Sequence, residues 1–327
     1  MRRLIWAVLA AAGLWGGYWY VGATALERAA RGWLASEAPR VRTASADVAG
    51  FPNRFDLTLT ALRVGQPGGV IWQAPFLQLF ALSYKPWHLI AAFPPAQTVT
   101  LPDGTVLEVA AKKLQASLVV TPSSDVALNR IVVAGSGLTL RVQDRPGLAV
   151  DSLQFNTRRD PARTDTHEIW LGVTGLRPDQ GLLTAPPDRL LPEGDASLHL
   201  DAFIGFSAPL DRFTADTRPV PVLIEVKQAR LVWGAIRAEA TGRIVSDAAG
   251  LAEGQIDLVL AGWDSALALA VAAGAMRPGI ATTWAELARR LAEASPDPDR
   301  IDLPLVFANG RIRLGPLPLG PAPRLSP

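Results

Sequence analysis

The stretch Phe55-Asp56-Leu57-Thr58-Leu59-Thr60 sets apolar and polar side chains in strict alternation. A period of two sends successive side chains to opposite faces of an extended chain, so the segment reads as a half-buried β-strand. The pattern recurs on both sides of the chain's middle. Leu114, Ala116, Leu118 and Val120 repeat the period with Gln115, Ser117 and Val119 between them, and Leu138, Leu140 and Val142 alternate with Thr139, Arg141 and Gln143. Ile256, Leu258 and Leu260 repeat it, and residues 169–173, 198–202 and 222–226 fit the same template. Breaks such as Pro102-Asp103-Gly104 and Asp144-Arg145-Pro146-Gly147 carry turn chemistry. Strands joined by short turns pair antiparallel, because parallel neighbours would need crossover helices between them. The expected fold class is mainly β, an extended, curved antiparallel sheet or sheets.

Helical signals are confined to the two ends. Near the C-terminus Asp264 is placed to cap a run from Ser265 to Met276. Thr283 and Glu286 match a capping box, after which Trp284, Leu287, Ala288 and Leu291 recur at helical spacing up to Ser295-Pro296. Two short helices are therefore predicted there, followed by strands around Leu305–Phe307 and Arg311–Leu314. A Pro/Gly-rich tail over 316–327 is expected to be flexible.

At the N-terminus Arg2 and Arg3 precede an uncharged stretch from Leu4 to Leu26. As a helix it would span about 34 Å, slightly more than the roughly 30 Å hydrocarbon core of a bilayer. Trp15, Tyr18, Trp19 and Tyr20 crowd its far end, where amphipathic rings favour the headgroup layer. Residues 1–26 thus read as a cytoplasmic tip and transmembrane anchor. The Arg pair keeps the N-terminus in the cytoplasm and sends the body outward, as expected of a single-pass membrane protein. Ala23-Thr24-Ala25 also has the form of a signal-peptide cleavage site, so a cleaved leader is the rival reading. Residues 27–40 continue as an amphipathic helix or stalk, with Leu26, Ala29, Ala30, Trp33 and Leu34 on one face. Residues 41–315 form the β-rich body.

Composition narrows the function classes. Of 327 residues 49% are hydrophobic and 19% charged, enough to build a sizeable core. Lys+Arg 32 against Asp+Glu 30 gives a net charge of +2, which argues against nucleic acid as a partner. With Cys 0, disulfides, thiolate metal sites and cysteine nucleophiles are excluded.

A search for chemistry leaves no catalytic, cofactor or metal assignment. His88, His167 and His199 are widely separated, so no paired metal motif exists. His167, beside Glu168 and near Asp165, reads as part of a solvated loop, and His199, between Leu198 and Leu200, as a residue on the polar sheet face. Gly205-Phe206-Ser207-Ala208-Pro209 lacks the second glycine of a nucleophile elbow and reads as a strand end. Gly135-Ser136-Gly137 reads as a hairpin turn. Asp297, Asp299 and Asp302 lack the loop pattern of a calcium site.

The most unusual segment is residues 72–95, nearly uncharged and dense in aromatics. It is either core covered on both faces or an open apolar face. In the open case Phe76, Leu79, Phe80, Trp87 and Phe93 would contact an acyl chain, with Lys85 and His88 meeting a headgroup.

Gly50-Phe51-Pro52-Asn53-Arg54-Phe55-Asp56-Leu57 and the run from Trp72 to Pro94 resemble the domain of unknown function 2125 family. Ala240-Thr241-Gly242-Arg243 through Asp247, Gly250, Gly254 to Leu258, and Leu303-Pro304-Leu305-Val306-Phe307 before Asn309-Gly310 extend the resemblance over nearly the whole body. It implies a membrane-anchored envelope protein of Gram-negative bacteria without an assigned activity, single-pass in the inner membrane with the N-terminus cytoplasmic and the body periplasmic. The short anchor followed by Gly-Phe-Pro and amphipathic strands also looks like the broader AsmA-like proteins, whose apolar-faced sheets are associated with phospholipid movement. Two expectations follow. One is a non-enzymatic envelope protein that binds or shuttles phospholipid or an acyl chain on an apolar sheet face. The other is a scaffold for other envelope proteins, with a filled core and no lipid.

Overall fold

The computed structural model describes residues 1–38, 40–66, 68–143, 145–179, 192–274, 276–293, 299–315 and 317–326. Within them the chain is mainly β, with antiparallel pairing at every named strand pair, one long N-terminal helix and two helices near the C-terminus. It divides into two units, Met1–Pro122 with Val133–Asp144, and Ser123–Val132 with Arg145–Pro327.

The first unit opens with α1 (Arg2–Ser36), a continuous helix of 35 residues. The expected anchor and stalk are one rod, because nothing between Leu26 and Glu27 interrupts helical hydrogen bonding. The strands follow as β1 (Val41–Arg42), β2 (Ser45–Ala49), β3 (Arg54–Gly65), β4 (Ile71–Leu82), β5 (Lys85–Ala92), β6 (Ala96–Thr100), β7 (Val106–Ala110) and β8 (Lys113–Val120). β9 (Leu128–Val142) contributes its C-terminal part. β3 pairs with β1, β2 and β4, while β4 pairs with β5 through residues 78–82 and with β6 through residues 71–73. β5 continues to β8, and β6 through β7 to β9.

Phe55, Leu57 and Leu59 are buried, as their alternation requires. Then the phase shifts. Ala61 has φ 48, in the left-handed region, and the β3–β4 ladder omits the Ala61–Pro75 pair while keeping its register on both sides. The extra half-twist turns Leu62 onto the face of Leu57 and Leu59. On β4 the matching change brings Trp72 to the same side as Leu77 and Leu79. Ala30 and Leu34 of α1 close this core from above. Gly135-Ser136-Gly137, expected as a hairpin turn, lies inside β9. Gly137, at φ 56, bends the strand without ending it, and both Ser136 and Gly137 offer carbonyls to Lys112 N–H.

The second unit is a meander. β10 (Arg145–Arg159), β11 (Thr166–Pro178), β12 (Ala196–Phe206), β13 (Pro221–Trp233), β14 (Ile236–Ser246) and β15 (Ala252–Ala261) pair in chain order, with a one-turn helix α2 (Thr214–Thr217) before β13. After α3 (Trp263–Ala272) and α4 (Pro278–Glu293), β16 (Arg300–Ala308) pairs with β15, then β17 (Arg311–Leu314) with β16.

Both late helices begin before their expected caps. Gly262, left-handed at φ 66, precedes α3, and Asp264 lies inside it, its carboxylate accepting from Ser265 N–H. α4 starts at Pro278, whose fixed φ and missing donor suit a first helical position, so Thr283 and Glu286 fall mid-helix. Ser295, Pro296 and Asp297, taken as the helix end and linker, lie outside the described residues. The C-terminal segment departs from its expected flexibility. Leu317–Pro321 forms β18 against β17, Ala322 is buried, and Leu251 and Arg324 form a β-bridge. Alternating Leu and Pro removes donors on one side only, so an edge strand remains possible.

Candidate functional site

The aromatic segment 72–95 does not make one surface. In an antiparallel ladder, directly opposite residues share a face. Leu79 lies opposite Leu57, on the covered face below α1, and Ala81 lies opposite Leu89; the β4–β5 register then shifts, and half-buried Trp87 falls in that irregular stretch. Phe76 lies opposite Thr60 and Phe80 opposite Asp56, both on the other face, where His88 and Ile90 follow. Phe93 turns back to the Trp72 ring at 6.0 Å, and His88 Nε2 bonds Ser117 Oγ at 2.8 Å. Lys85 is exposed at the β4–β5 turn. The five apolar candidates and two headgroup candidates are therefore divided between two faces, and most are half-buried.

The second unit carries a coherent apolar face that the sequence reading did not single out. Its register aligns Leu153, Val173, Leu198 and Leu231 across β10 to β13, then Ala238, Leu260 and Ile301 across β14 to β16. Two residues along, Phe155, Leu171, Leu200, Ala229, Ala240, Leu258 and Leu303 form a second row. The signal was present in each strand's alternation, but joining the strands requires their register.

The opposite face is polar and ion-paired. Glu168 takes Arg158 at 2.7 Å and Lys227 at 3.0 Å, and these cations hold its carboxyl below the usual range. Lys227 also reaches Asp201 at 3.2 Å. His199 sits on this face against Trp170, as expected.

At its far end the apolar face is roofed by α3 and α4. Trp263, Ala266, Leu267 and Ala270 recur at the spacing that lines one helix face. Trp284 and Ala288 do the same on α4, while Arg289 and Arg290 point to solvent. Gly274, left-handed at φ 71, ends α3 and lets the chain reverse into α4. Between roof and sheet lies an open cleft of about 260 Å³, lined by these residues with Leu258, Leu260, Met276, Ile301, Leu303 and Leu314. Its floor is firm, since Ile301 and Leu303 are buried with Ala288 and Ala292. Every lining side chain is apolar apart from the indole nitrogens, so the cleft can hold hydrocarbon and offers no acid, base or nucleophile.

His167 is not in a loop. It lies in β11, 3% exposed, with Nδ1 3.2 Å from Thr157 Oγ1 and its ring edge-on to Phe206. Burial, followed by the Arg159 charge, pushes its pKa down despite the opposing effect of Asp165. Gly205 and Phe206 end β12, as the strand-end reading requires. Among the described residues no three His, Cys, Asp or Glu side chains converge as a metal site.

No curated protein and no solved structure matches the chain. The family described as uncharacterized protein conserved in bacteria (DUF2125) matches residues 19–323, which takes in the C-terminal half of α1 and every strand named above among the described residues. The chain therefore belongs to the DUF2125 family.

Proposed function

We propose that this is a non-enzymatic, membrane-tethered lipid-binding protein whose second unit receives an acyl chain on its apolar sheet face. The observation that carries the reading is the cleft under α3 and α4, apolar on all sides and continuous with the rows from Leu153 to Ile301 and from Phe155 to Leu303. Ligand sites are concave and mostly apolar, and a cleft of about 260 Å³ suits part of one chain more than a whole lipid. The headgroup then stays outside the cleft. A helix long and apolar enough to cross a membrane, Arg2–Ser36, supports tethering. We place the N-terminus in the cytoplasm and the body in the periplasm, because Arg2 and Arg3 precede the apolar run. An anchor followed by a sheet with one apolar face is also the arrangement of AsmA-like envelope proteins, and the lipid reading is consistent with it.

The test is mass spectrometry of lipids extracted from the purified chain and from Ala270→Trp, which fills the cleft from α3. Co-purifying phospholipid is expected, with several-fold less in the variant at unchanged thermal unfolding. A well-folded chain carrying no lipid would overturn the reading in favour of a scaffold that binds other envelope proteins.

A further inference from the structure

The side chains of α1 do not simply pass the first unit; they are bonded to it. Trp15 Nε1 donates to the Pro52 carbonyl at 2.9 Å, Tyr18 Oη to Ser83 at 2.7 Å and Trp19 Nε1 to Arg54 at 2.6 Å. The Phe51 ring packs edge-on against Trp19 at 5.3 Å. Contact between helix and body therefore starts at Trp15.

This sets a length problem. The thirteen residues from Arg2 to Leu14 rise about 20 Å as helix, whereas a hydrocarbon core is about 30 Å thick. Crossing it needs about seven further residues, which takes the helix to the level of Val21 and Gly22. Whatever is bonded to Trp15, Tyr18 and Trp19 must then enter the bilayer beside them.

The bonded structure is built for such a setting. It consists of the β2–β3 turn, Gly50–Asn53, and the β4–β5 turn at Ser83–Tyr84. In lipid, backbone polar groups need internal partners. The Gly50 carbonyl accepts from Arg54 N–H at 2.9 Å, and Asn53 from Ser83 N–H at 2.9 Å. The helix's indoles and phenol take the Pro52, Arg54 and Ser83 carbonyls. Pro52 has no N–H to satisfy. Leading outward are Phe51, 61% exposed, and Tyr84, 58% exposed, with exposed Pro52 between Phe51 and the one polar side chain exposed at the tip, Asn53. Next to each stands an exposed cation, Arg54 and Lys85, long enough to keep its charge among phosphates while the tip is immersed.

We propose that the first unit inserts this double-turn tip, led by Phe51 and Tyr84, into the leaflet it faces, alongside α1. The occupant of the surface is the bilayer itself, and the inference rests on α1 crossing it. The turns act as a collar that fixes the depth and tilt of the anchor.

The chain contains no cysteine, so single Phe51→Cys, Tyr84→Cys, Leu14→Cys and Val106→Cys variants can each carry one environment-sensitive fluorophore. The full chain is reconstituted in vesicles of phosphatidylethanolamine and phosphatidylglycerol. Labels at 51, 84 and 14 are expected to be several-fold less quenched by aqueous iodide than the label at 106, and to be quenched by nitroxide lipids. Protection at 14 with full iodide access at 51 and 84 would overturn the collar and leave the anchor standing. Iodide access at 14 as well would remove both. Two independent tip positions keep the result readable should one substitution perturb the fold.

Discussion

Gly22 of α1 lies beneath the ring of Phe55, so close that a Cβ added there would come within 2.7 Å of the ring's tip. Phe55 is itself buried and stacks on Trp19, leaving its ring little freedom to yield. Gly22→Leu should therefore pry the helix from the sheet, at about 1–3 kcal/mol. Gly13 meets nothing within 4 Å. Gly13→Leu should stay within about 0.5 kcal/mol. Thermal unfolding in detergent, followed by tryptophan emission, separates the two.

The same face decides how the aromatic segment responds to charge. Leu79→Asp puts a carboxylate into the core of Leu57, Leu59 and Leu62, and should abolish folding. Phe76→Ser, on the opposite face beside Thr60, leaves that core intact and should fold with a modest loss of stability. Yield of soluble, cooperatively unfolding protein is the measurement. Equal damage from both substitutions would contradict the division of faces.

That division marks where the sequence stopped being informative. Phe55 to Thr60 declared its strand and its inward side unaided. Beyond Ala61 the face of each side chain could not be read from alternation, because a left-handed residue shifts the phase without changing the letters. Ile256, Leu258 and Leu260 were likewise legible as a strand, yet the apolar rows they complete depend on ladders to residues far away. His167 shows the converse error. Asp165 and Glu168 gave its neighbourhood a polar appearance, but alternation points His167 inward and Glu168 outward.

In the cleft, Leu303 is buried between the sheet and α4. Leu303→Ala should cost about 2–5 kcal/mol, with the upper part reached if the cavity stays open. Under the lipid reading the enlarged cleft remains apolar, so bound acyl chain should persist in the fraction that folds. Calorimetry and lipid extraction on one preparation test both halves.

His167 should give stability a pH dependence on the acid side. Its pKa is lowered in the folded state, chiefly by burial, from an ordinary value of 6.5. The unfolded chain therefore takes up a proton that the folded chain resists. Stability contributed by the neutral ring is fully present above about pH 6.5 and falls as pH drops towards the folded-state value. His167→Asn, which can still bond Thr157 but does not titrate, should flatten this limb. Denaturant midpoints collected across the acid range for both proteins provide the comparison.

Removing the C-terminal segment should destabilise the second unit. Leu317–Pro321 pairs with β17, Ala252 N–H bonds the Pro323 carbonyl at 2.9 Å, and Leu325 N–H bonds Gly250 at 2.8 Å. The Leu325 side chain also covers the cluster of Ile244, Ala252 and Phe307. A chain ending at Gly315 loses that cover and bares the β17 edge, a template for association with other chains. The expected result is a lower unfolding temperature together with concentration-dependent self-association by analytical ultracentrifugation. Leu325→Ala alone removes the side-chain cover and keeps β18, so it should lower stability without inducing association. If truncation changed neither property, the strand's pairing would contribute nothing to the fold.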